Sequence, residues 1–243
     1  MVVAMDYEGL LDLVKKRRTV RDIKPDQIPD EKILKILEVA RWAPSGFNMQ
    51  PWEFVVVKDE KLKAGIQEIV DQYRLNDFFQ MEATREPWQG PIWAPKTPDE
   101  FRLAKVPVYI VVLGDTRLQA GLPMAARYCQ QKLCSIWEST LADAVLYIHL
   151  AATALGLASH WVSAVKMPRV QCLIKDLLGV PHQFQIYEII GLGYPAKKPQ
   201  PRPVRELKEM IHYDRVSEKD FRSDDQVRET IKELRLGTVT RHL

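Results

Sequence analysis

One helix constrains the fold of this chain more than any other stretch does. Residues 135–157 read SIWESTLADAVLYIHLAATALGL, and apolar side chains cover nearly the whole circumference of a helix built from them. Such a helix has almost no polar face to turn toward water, so other parts of the protein must cover it on most sides. It therefore predicts a layered fold with a large core.

The elements that could cover this helix follow from the periodicity of the sequence. Short runs rich in valine, isoleucine and aromatic residues, each bounded by turn residues, predict buried strands at 52–59, 106–115, 158–165 and 184–195. Apolar residues at helical spacing predict further helices at 6–16, 30–43, 60–80, 167–178 and 224–236. Asp30 is the predicted N-cap of the second helix, and Gly179 closes the fourth. This order predicts an α+β fold, and a second copy of the chain is the economical cover for the long helix.

Composition, charge and cysteine spacing argue against several classes of function. The 243 residues are 46% hydrophobic and 28% charged, which is typical of a folded globular protein. The net charge of +3 is too mild to argue for a nucleic-acid binder, and no stretch approaches the ~20 apolar residues of a membrane span. Cys129, Cys134 and Cys172 lack disulfide or zinc-ligand spacing, so we expect reduced, buried thiols in a cytoplasmic protein.

An arginine-rich run follows the first predicted helix. In extended geometry successive side chains point to opposite faces, so Arg17, Thr19 and Arg21 share one face. Two guanidiniums and a hydroxyl on one face suit a phosphate, and Arg18 could reach round from the other face. The same run could be a solvated basic surface after a helix, and spacing alone favours that interpretation.

Residues 41–52, RWAPSGFNMQPW, form a second candidate site. Ser45 and Asn48 offer hydrogen-bonding groups to a flat polar ring edge, Gly46 permits close backbone approach, and Phe47 could lie over a ring face. The alternative is a plain helix exit, in which this stretch turns and its last residue packs into the core. The two interpretations stand about even on this stretch alone.

Other motifs exclude familiar sites. GLGYP at 191–195 lacks the third glycine of the dinucleotide fingerprint, and a proline stands where its helix would start, so we reject a Rossmann site. None of the five histidines has metal-ligand spacing, and His149 is interpreted as a core residue with satisfied hydrogen bonds. We assign no catalytic side chain and no metal site, so an enzyme of this sequence would depend on a cofactor for its reaction.

A proline-rich stretch, REPWQGPIWAPKTPDEF, covers residues 85–101. Its four prolines exclude a regular helix or a central strand, and its two tryptophans, Trp88 and Trp93, favour a functional lid over a disordered insert. The last forty residues are highly charged and predict little core of their own. We expect them to lie against this subunit or a partner.

Taken together, four stretches make the chain resemble the nitroreductase family of FMN-dependent oxidoreductases. They are RRTVRD at 17–22, APSGFNMQPWEFVVVKD at 43–59, AATALGLASHWVSA at 151–164 and GLGYPAKKPQPRP at 191–203. They occur in the family's order, and the resemblance spans roughly residues 7–215. The first two stretches are the specific ones.

The resemblance implies which residues bind the phosphate of FMN. The family's arginine run, which holds this phosphate, falls on Arg17, Arg18, Thr19 and Arg21. Thr19 stands where the family usually has serine, so the hydroxyl group is kept. In the family, a basic residue that follows the Gly-Tyr-Pro strand also contacts the phosphate, and Arg202 and Arg205 both fit that position.

The resemblance also implies contacts to the flavin ring and the substrate. The family's loop beside the isoalloxazine falls on Pro44, Ser45 and Asn48. The strand after the long helix lends backbone groups near the reactive edge of the flavin, here at Val162 and Ser163. The expected substrate contacts are Phe47, Trp88 and Trp93.

Assembly and activity follow from the same resemblance. Family members hold FMN between two subunits, which implies a mostly antiparallel sheet flanked by helices in an intertwined homodimer with exchanged C-terminal arms. The implied reaction passes hydride from NAD(P)H through flavin N5 to a small nitroaromatic, quinone or related acceptor, by ping-pong exchange at one site. The choice between NADH and NADPH and the physiological acceptor stay open.

The predicted domain organisation is simple. We expect one FMN-binding domain at 1–215, with a lid insert at about 73–103, and a charged extension at 216–243. We expect no nucleic-acid partner and no membrane partner.

Several alternatives stay open. A reductive dehalogenase of the iodotyrosine deiodinase type is one, although in an ungapped comparison the glutamate and tyrosine with which that branch grips its substrate fall on Arg74 and Phe78. The flavin-fragmenting enzyme of cobalamin lower-ligand synthesis shares the phosphate motif, and no feature selects it. A flavin-binding sensor would bind flavin without turnover. A nucleic-acid binder would be colourless, with an affinity that falls steeply with salt.

Overall fold

The structure, a computed structural model, describes residues 6–90, 105–199 and 204–240. The chain forms two compact units. Among the described residues, the first unit contains 6–71 and 105–199, and the second contains 72–90 and 204–240. The first unit holds the described sheet and the long apolar helix.

An antiparallel sheet is the centre of the first unit. Its strands are β1 (Trp52–Val57), β2 (Val108–Asp115), β3 (Ala158–Val162) and β4 (Phe184–Gly193). They lie in the order β1-β2-β4-β3, and each neighbouring pair runs antiparallel. The two central strands are largely apolar, and nearly all of their residues are buried because helices pack on the sheet. The predicted α+β architecture with a mostly antiparallel sheet is confirmed.

Helices account for most of the remaining described residues. They are α1 (Tyr7–Lys16), α2 (Asp30–Ala40), α3 (Glu60–Ala83), α4 (Met124–Arg127), α5 (Gln130–Ala154), α6 (Pro168–Leu178) and α7 (Asp224–Thr240). Each predicted helix is present with shifted ends. The sequence did not predict α4, because a single turn is too short to show helical periodicity.

The long apolar helix is α5. It begins at Gln130, before the apolar run, because the polar residues there are good helix formers that an apolar criterion does not detect. It ends at Ala154, two residues before Gly156, whose left-handed φ of 72° stops the helix. Its buried side chains form the main core with α2, β2 and β4.

Two local expectations are wrong. Pro29, and not Asp30, is the N-cap of α2, because the fixed φ of proline suits the helix entrance and the Asp30 carboxylate instead binds Lys58 Nζ at 2.5 Å. The thiols are free as expected, but Cys134 and Cys172 are exposed and Cys129 is only half-buried. The C-terminal stop of α6 at Gly179, with φ of 67°, is confirmed.

The second unit buries little surface in its described part. No side chain between residues 204 and 234 is buried, which agrees with the expectation that the charged C-terminal residues form little core. The predicted domain boundary at residue 215 and the predicted lid insert at 73–103 stay predictions.

Neither a membrane span nor a metal cluster occurs in the described ranges. No helix within residues 6–90, 105–199 and 204–240 has the length and apolar character needed to cross a bilayer. Within the same ranges, no group of three or more histidine, cysteine, aspartate and glutamate side chains is arranged to hold a metal ion.

Candidate functional site

The arginine-rich run lies along the free edge of the sheet. α1 ends at Lys16, and Arg17 is extended, with φ of −60° and ψ of 127°. Because β3 is the last strand, its outer edge is open, and Thr19 forms an isolated parallel bridge with Ser159 there. The backbone N–H of Val20 donates to the Ser159 carbonyl at 3.1 Å. The edge strand therefore fixes the position of the run.

The donor set of this run suits a phosphate. Arg17 and Arg18 are half-buried, and Thr19 and Arg21 are exposed. Arg18 Nη1 donates to the Arg17 carbonyl at 2.7 Å, which folds that side chain back over its own backbone. Three guanidiniums and a hydroxyl in one short extended segment are charge-assisted donors of the kind that bind a phosphate dianion.

A buried histidine lies close to the arginine run. His149 on α5 is 3% exposed, and its Nδ1 is 2.7 Å from the Ser159 hydroxyl oxygen. Burial, with the positive charge of Arg17 as the second cause, lowers the pKa of His149 to about 4. The imidazole is therefore neutral at pH 7. The prediction of a core histidine is confirmed, but its hydrogen bonds are only partly made, because its Nε2 has no hydrogen-bond partner among the described residues.

The loop before β1 holds three residues other than glycine in the left-handed region. Phe47, Asn48 and Gln50 have φ values of 56°, 54° and 46°. Such a conformation costs of order 1–3 kcal/mol for each residue, and it persists at ligand-binding sites where the surrounding structure imposes it. Pro44 and Asn48 are exposed, and the Phe47 side chain is 62% exposed. The strained loop therefore presents an aromatic ring and polar groups outward.

Contacts with α5 and within the loop hold this strained conformation. The Gly46 N–H donates to Thr140 Oγ1 on α5 at 3.0 Å, and the half-buried Ser45 accepts the Gln50 N–H at its hydroxyl, 3.2 Å away. A Cβ on Gly46 would lie 2.5 Å from Cγ2 of Ile136. The absence of a side chain on Gly46 therefore permits a close approach to α5.

The turn after β3 is the third segment of the site. The strand ends at Val162, and Ser163–Lys166 form a 3-10 turn, so the predicted strand at 158–165 is too long. Val162 is buried and Ser163 is exposed. Because β3 is the edge strand, this turn and the arginine run lie along the same edge of the sheet.

Two side chains beside this turn were not predicted. Trp161 is 37% exposed and stacks on the His149 ring, with centroids 5.5 Å apart and an interplanar angle of 18°. Glu188 on β4 is 1% exposed and is a diagonal neighbour of Trp161 across the two strands. Burial raises the pKa of Glu188 to about 7, although the Trp161 side chain and the charge of Lys166 act to lower it. One carboxyl in the otherwise largely apolar strand FQIYEIIGLG is the sequence signal that could have revealed this group.

The remaining predicted residues lie elsewhere. Arg205, in the second unit, donates from Nη2 to the Glu209 carbonyl at 2.8 Å. Trp88, also in the second unit, lies in the 3-10 turn Pro87–Gln89 with the Arg228 guanidinium 5.8 Å from its ring centroid. Trp93 and Arg202 fall outside the described residues.

A family model described as "Nitroreductase family" matches residues 14–194. That range contains the arginine run, the strained loop and the turn after β3. NADH dehydrogenase of Thermus thermophilus is 29% identical over 189 residues, covering 76% of this chain and 86% of that protein.

Iodotyrosine deiodinases are also similar. Iodotyrosine deiodinase 1 of Mus musculus is 44% identical over 196 residues, which cover 79% of this chain and 64% of that protein. A crystal structure of oxidized iodotyrosine deiodinase bound to FMN and 3-iodo-L-tyrosine aligns with a TM-score of 0.63 at 27% identity. The alignment covers 85% of this chain and 100% of that chain.

Proposed function

The chain belongs to the nitroreductase family, and from that premise we propose that it passes electrons from NAD(P)H through bound FMN to a small nitroaromatic, quinone or related acceptor. The chain is an FMN-dependent oxidoreductase. The acceptor, the order of exchange and the role of each residue belong to the proposal.

One observation carries this proposal. Thr19 and Val20 pair with Ser159 on the strand that ends at Val162, so the phosphate donors and the turn after β3 lie along one edge. At about 3.3 Å per residue, Ser159 and Ser163 are roughly 13 Å apart along the chain. A ribityl phosphate tail can span a distance of this order, so the two segments suit the two ends of one FMN.

Each segment has a chemical role in the proposal. Four residues of the arginine run neutralise and orient the phosphate, namely Arg17, Arg18, Thr19 and Arg21. The polar groups of the strained loop, at Pro44, Ser45 and Asn48, border the ring, and backbone groups at Val162 and Ser163 lie at its reactive edge. When bound, FMN accepts hydride at N5 from NAD(P)H and delivers it to an acceptor that enters the same pocket after the nicotinamide leaves.

Further parts of the proposal concern residues outside this edge. The exposed Phe47 ring is available to a planar acceptor, and Trp88 and Trp93 are proposed to act with it. Arg202 or Arg205 completes the phosphate site. The functional protein is proposed to be an intertwined cytoplasmic homodimer.

The test begins with the colour of the purified protein. The protein should show the visible absorption of oxidised flavin, and anaerobic NADH or NADPH should bleach it. A nitroarene or a quinone should then restore the colour, with one nicotinamide oxidised for each two-electron reduction of the acceptor. A protein that stays colourless after incubation with FMN contradicts the proposal.

A reductive dehalogenase is the second candidate. It is favoured by the 44% identity to the mouse deiodinase and by the likeness to a deiodinase bound to FMN and 3-iodo-L-tyrosine. Against it, in an ungapped comparison the glutamate and tyrosine positions of that branch fall on Arg74 and Phe78, both on α3. Iodide release from 3-iodo-L-tyrosine under reducing conditions would favour this candidate. Nitroarene reduction without iodide release would favour the first, and flavin without turnover of either would favour a sensor.

A further inference from the structure

Trp161 lies at the place where the two proposed cofactor segments meet. It stands on β3 between Ser159, which pairs with the arginine run, and Val162, where the strand ends. Side chains alternate along a strand, so Trp161 and Ser159 share the face that looks toward α5. Both of them contact His149 on that helix.

Two buried groups hold the indole ring. His149 stacks against one side at a centroid distance of 5.5 Å. Glu188 lies two residues along β4 from Ile190, the cross-strand partner of Trp161, so Glu188 and Trp161 are diagonal neighbours on one face of the sheet. His149 and Glu188 are 3% and 1% exposed, so their own side chains are packed in place. An aromatic ring that is fixed before a ligand arrives loses little further freedom on binding.

Stability alone does not account for this arrangement. Burying an imidazole and a carboxyl costs free energy unless their hydrogen bonds are made. Among the described residues, Nε2 of His149 and Oε1 of Glu188 have no hydrogen-bond partner. The ring that these two groups contact is nevertheless 37% exposed, so part of its surface stays open to a ligand.

We propose that the exposed surface of Trp161 packs against the ring system of bound flavin, with His149 and Glu188 as positioning residues that fix the indole for this contact. The inference rests on the proposed function, since FMN is its ligand. An electron-rich indole and the electron-poor oxidised flavin are both large planar rings, and such pairs favour offset stacking.

The test is a titration of the apoprotein with FMN, followed by flavin fluorescence. Trp161→Ala should raise the Kd by about tenfold, and the bound flavin should fluoresce more strongly because a stacked indole quenches it. Trp161→Phe keeps a ring and should retain most of the affinity while losing the quenching. Tyr128→Ala is the control for loss of an exposed aromatic ring, because Tyr128 is 76% exposed and has the Arg127 guanidinium 5.8 Å from its ring centroid.

The positioning role has its own readout. His149→Leu removes the hydrogen bond to Ser159 and the polar ring under Trp161. It should shift the bound-flavin fluorescence part of the way toward the Trp161→Ala value, and His149→Asn should restore part of the quenching because its amide can still bond Ser159. A fluorescence yield in His149→Leu equal to that of wild type overturns the positioning role.

The outcomes separate this inference from the proposed function. If the wild-type protein binds no FMN, the proposed function fails and this inference fails with it. If wild type and Trp161→Ala bind FMN with the same Kd and the same fluorescence yield, only this inference is overturned. If Trp161→Ala does not fold, Trp161→Phe decides, because unchanged quenching in that variant overturns the contact.

Discussion

At the scale of single residues, burial favours the neutral forms of the two buried ionisable groups of the site. Burial lowers the pKa of His149 to about 4 and raises the pKa of Glu188 to about 7. A neutral imidazole adds no repulsion against the arginines, and a carboxyl that is about half protonated at pH 7 carries less negative charge than an ordinary glutamate. Arg17, Arg18 and Arg21 give this edge of the sheet the positive charge that suits an anionic ligand.

Glu188 makes a pH-dependent contribution to stability. Its pKa is raised from an ordinary value of 4.5 to about 7, so the folded state binds its proton more tightly than the unfolded state does. The stability that this proton provides is fully present below pH 4.5 and is lost as the pH rises through about 7. Relative to wild type, Glu188→Gln should gain stability over this window, by an amount on the order of 3 kcal/mol.

Urea unfolding of both proteins between pH 4.5 and pH 8 measures this difference. Glutamine keeps an acceptor for the Trp161 side chain and cannot ionise. The titration of His149 occurs in both proteins and cancels in the difference. A stability difference that stays constant across the pH range would show that Glu188 does not titrate as described.

At the scale of elements, the edge strand and the long helix organise the site. β3 supplies the open edge that holds the arginine run, and the turn after it follows directly. On α5, Thr140 anchors the strained loop and His149 supports Ser159, about 13 Å apart along the axis at 1.5 Å per residue. The position of α5 on the sheet therefore sets the positions of both supports.

The close packing of α5 on the sheet can be tested at Gly114 of β2. A Cβ added there would lie 2.5 Å from Cζ2 of Trp137 and 2.9 Å from Cδ1 of Leu141, both on α5. Gly114→Ala should therefore lower the free energy of unfolding by about 1–3 kcal/mol, because the core is overpacked.

Chemical denaturation measures this loss, and Gly121→Ala is the matched control. No atom lies within 4 Å of a Cβ at Gly121, so its stability should stay close to that of wild type. Equal stability of the two variants would mean that α5 does not pack against Gly114 as closely as described.

Much of the architecture could be predicted from the sequence, because it follows from periodicity. The apolar α5 and the valine- and isoleucine-rich strands predicted the layers of the fold, and Gly179 predicted the end of α6. Periodicity does not fix the residue at which an element begins or ends, however, so the N-cap at Pro29 and the early end of β3 at Val162 were missed. These ends depend on local backbone geometry that several residue types can adopt.

The candidate site was only partly predictable. The resemblance identified the arginine run and the loop, and the structure adds that the loop is strained at Phe47 and Asn48. His149, Trp161 and Glu188 come together from α5, β3 and β4, which are far apart in sequence. No local pattern could pair them, and Glu188 alone gave a signal as a charged residue in an apolar strand.

At the scale of the whole molecule, the proposed homodimer depends on apolar surface that the single chain leaves open. Leu146 on α5 is 44% exposed, although several residues close to it on the same helix are buried. A charge at this position would have to be buried without a partner in a dimer built on α5. Leu146→Glu should therefore raise the dimer dissociation constant by at least about 100-fold.

Sedimentation velocity over a range of protein concentrations measures this change. Leu173→Glu is the control, since Leu173 is 41% exposed on α6 and carries a similar side chain. A wild-type protein that sediments as a monomer at every concentration contradicts the proposed dimer. A Leu146→Glu protein that remains dimeric would place the interface away from α5.

The central claim, that the arginine run binds the phosphate of FMN, is tested most directly by comparing FMN with riboflavin, which lacks that phosphate. Apoprotein should bind FMN at least about 100-fold more tightly, since each charge-assisted contact contributes about 1.5–3 kcal/mol. Arg17→Ala should weaken FMN binding by roughly that one contact and leave riboflavin unaffected, and Arg117→Ala, whose guanidinium pairs with Asp115, should change neither. Equal affinities of the wild-type protein for FMN and riboflavin would contradict the account.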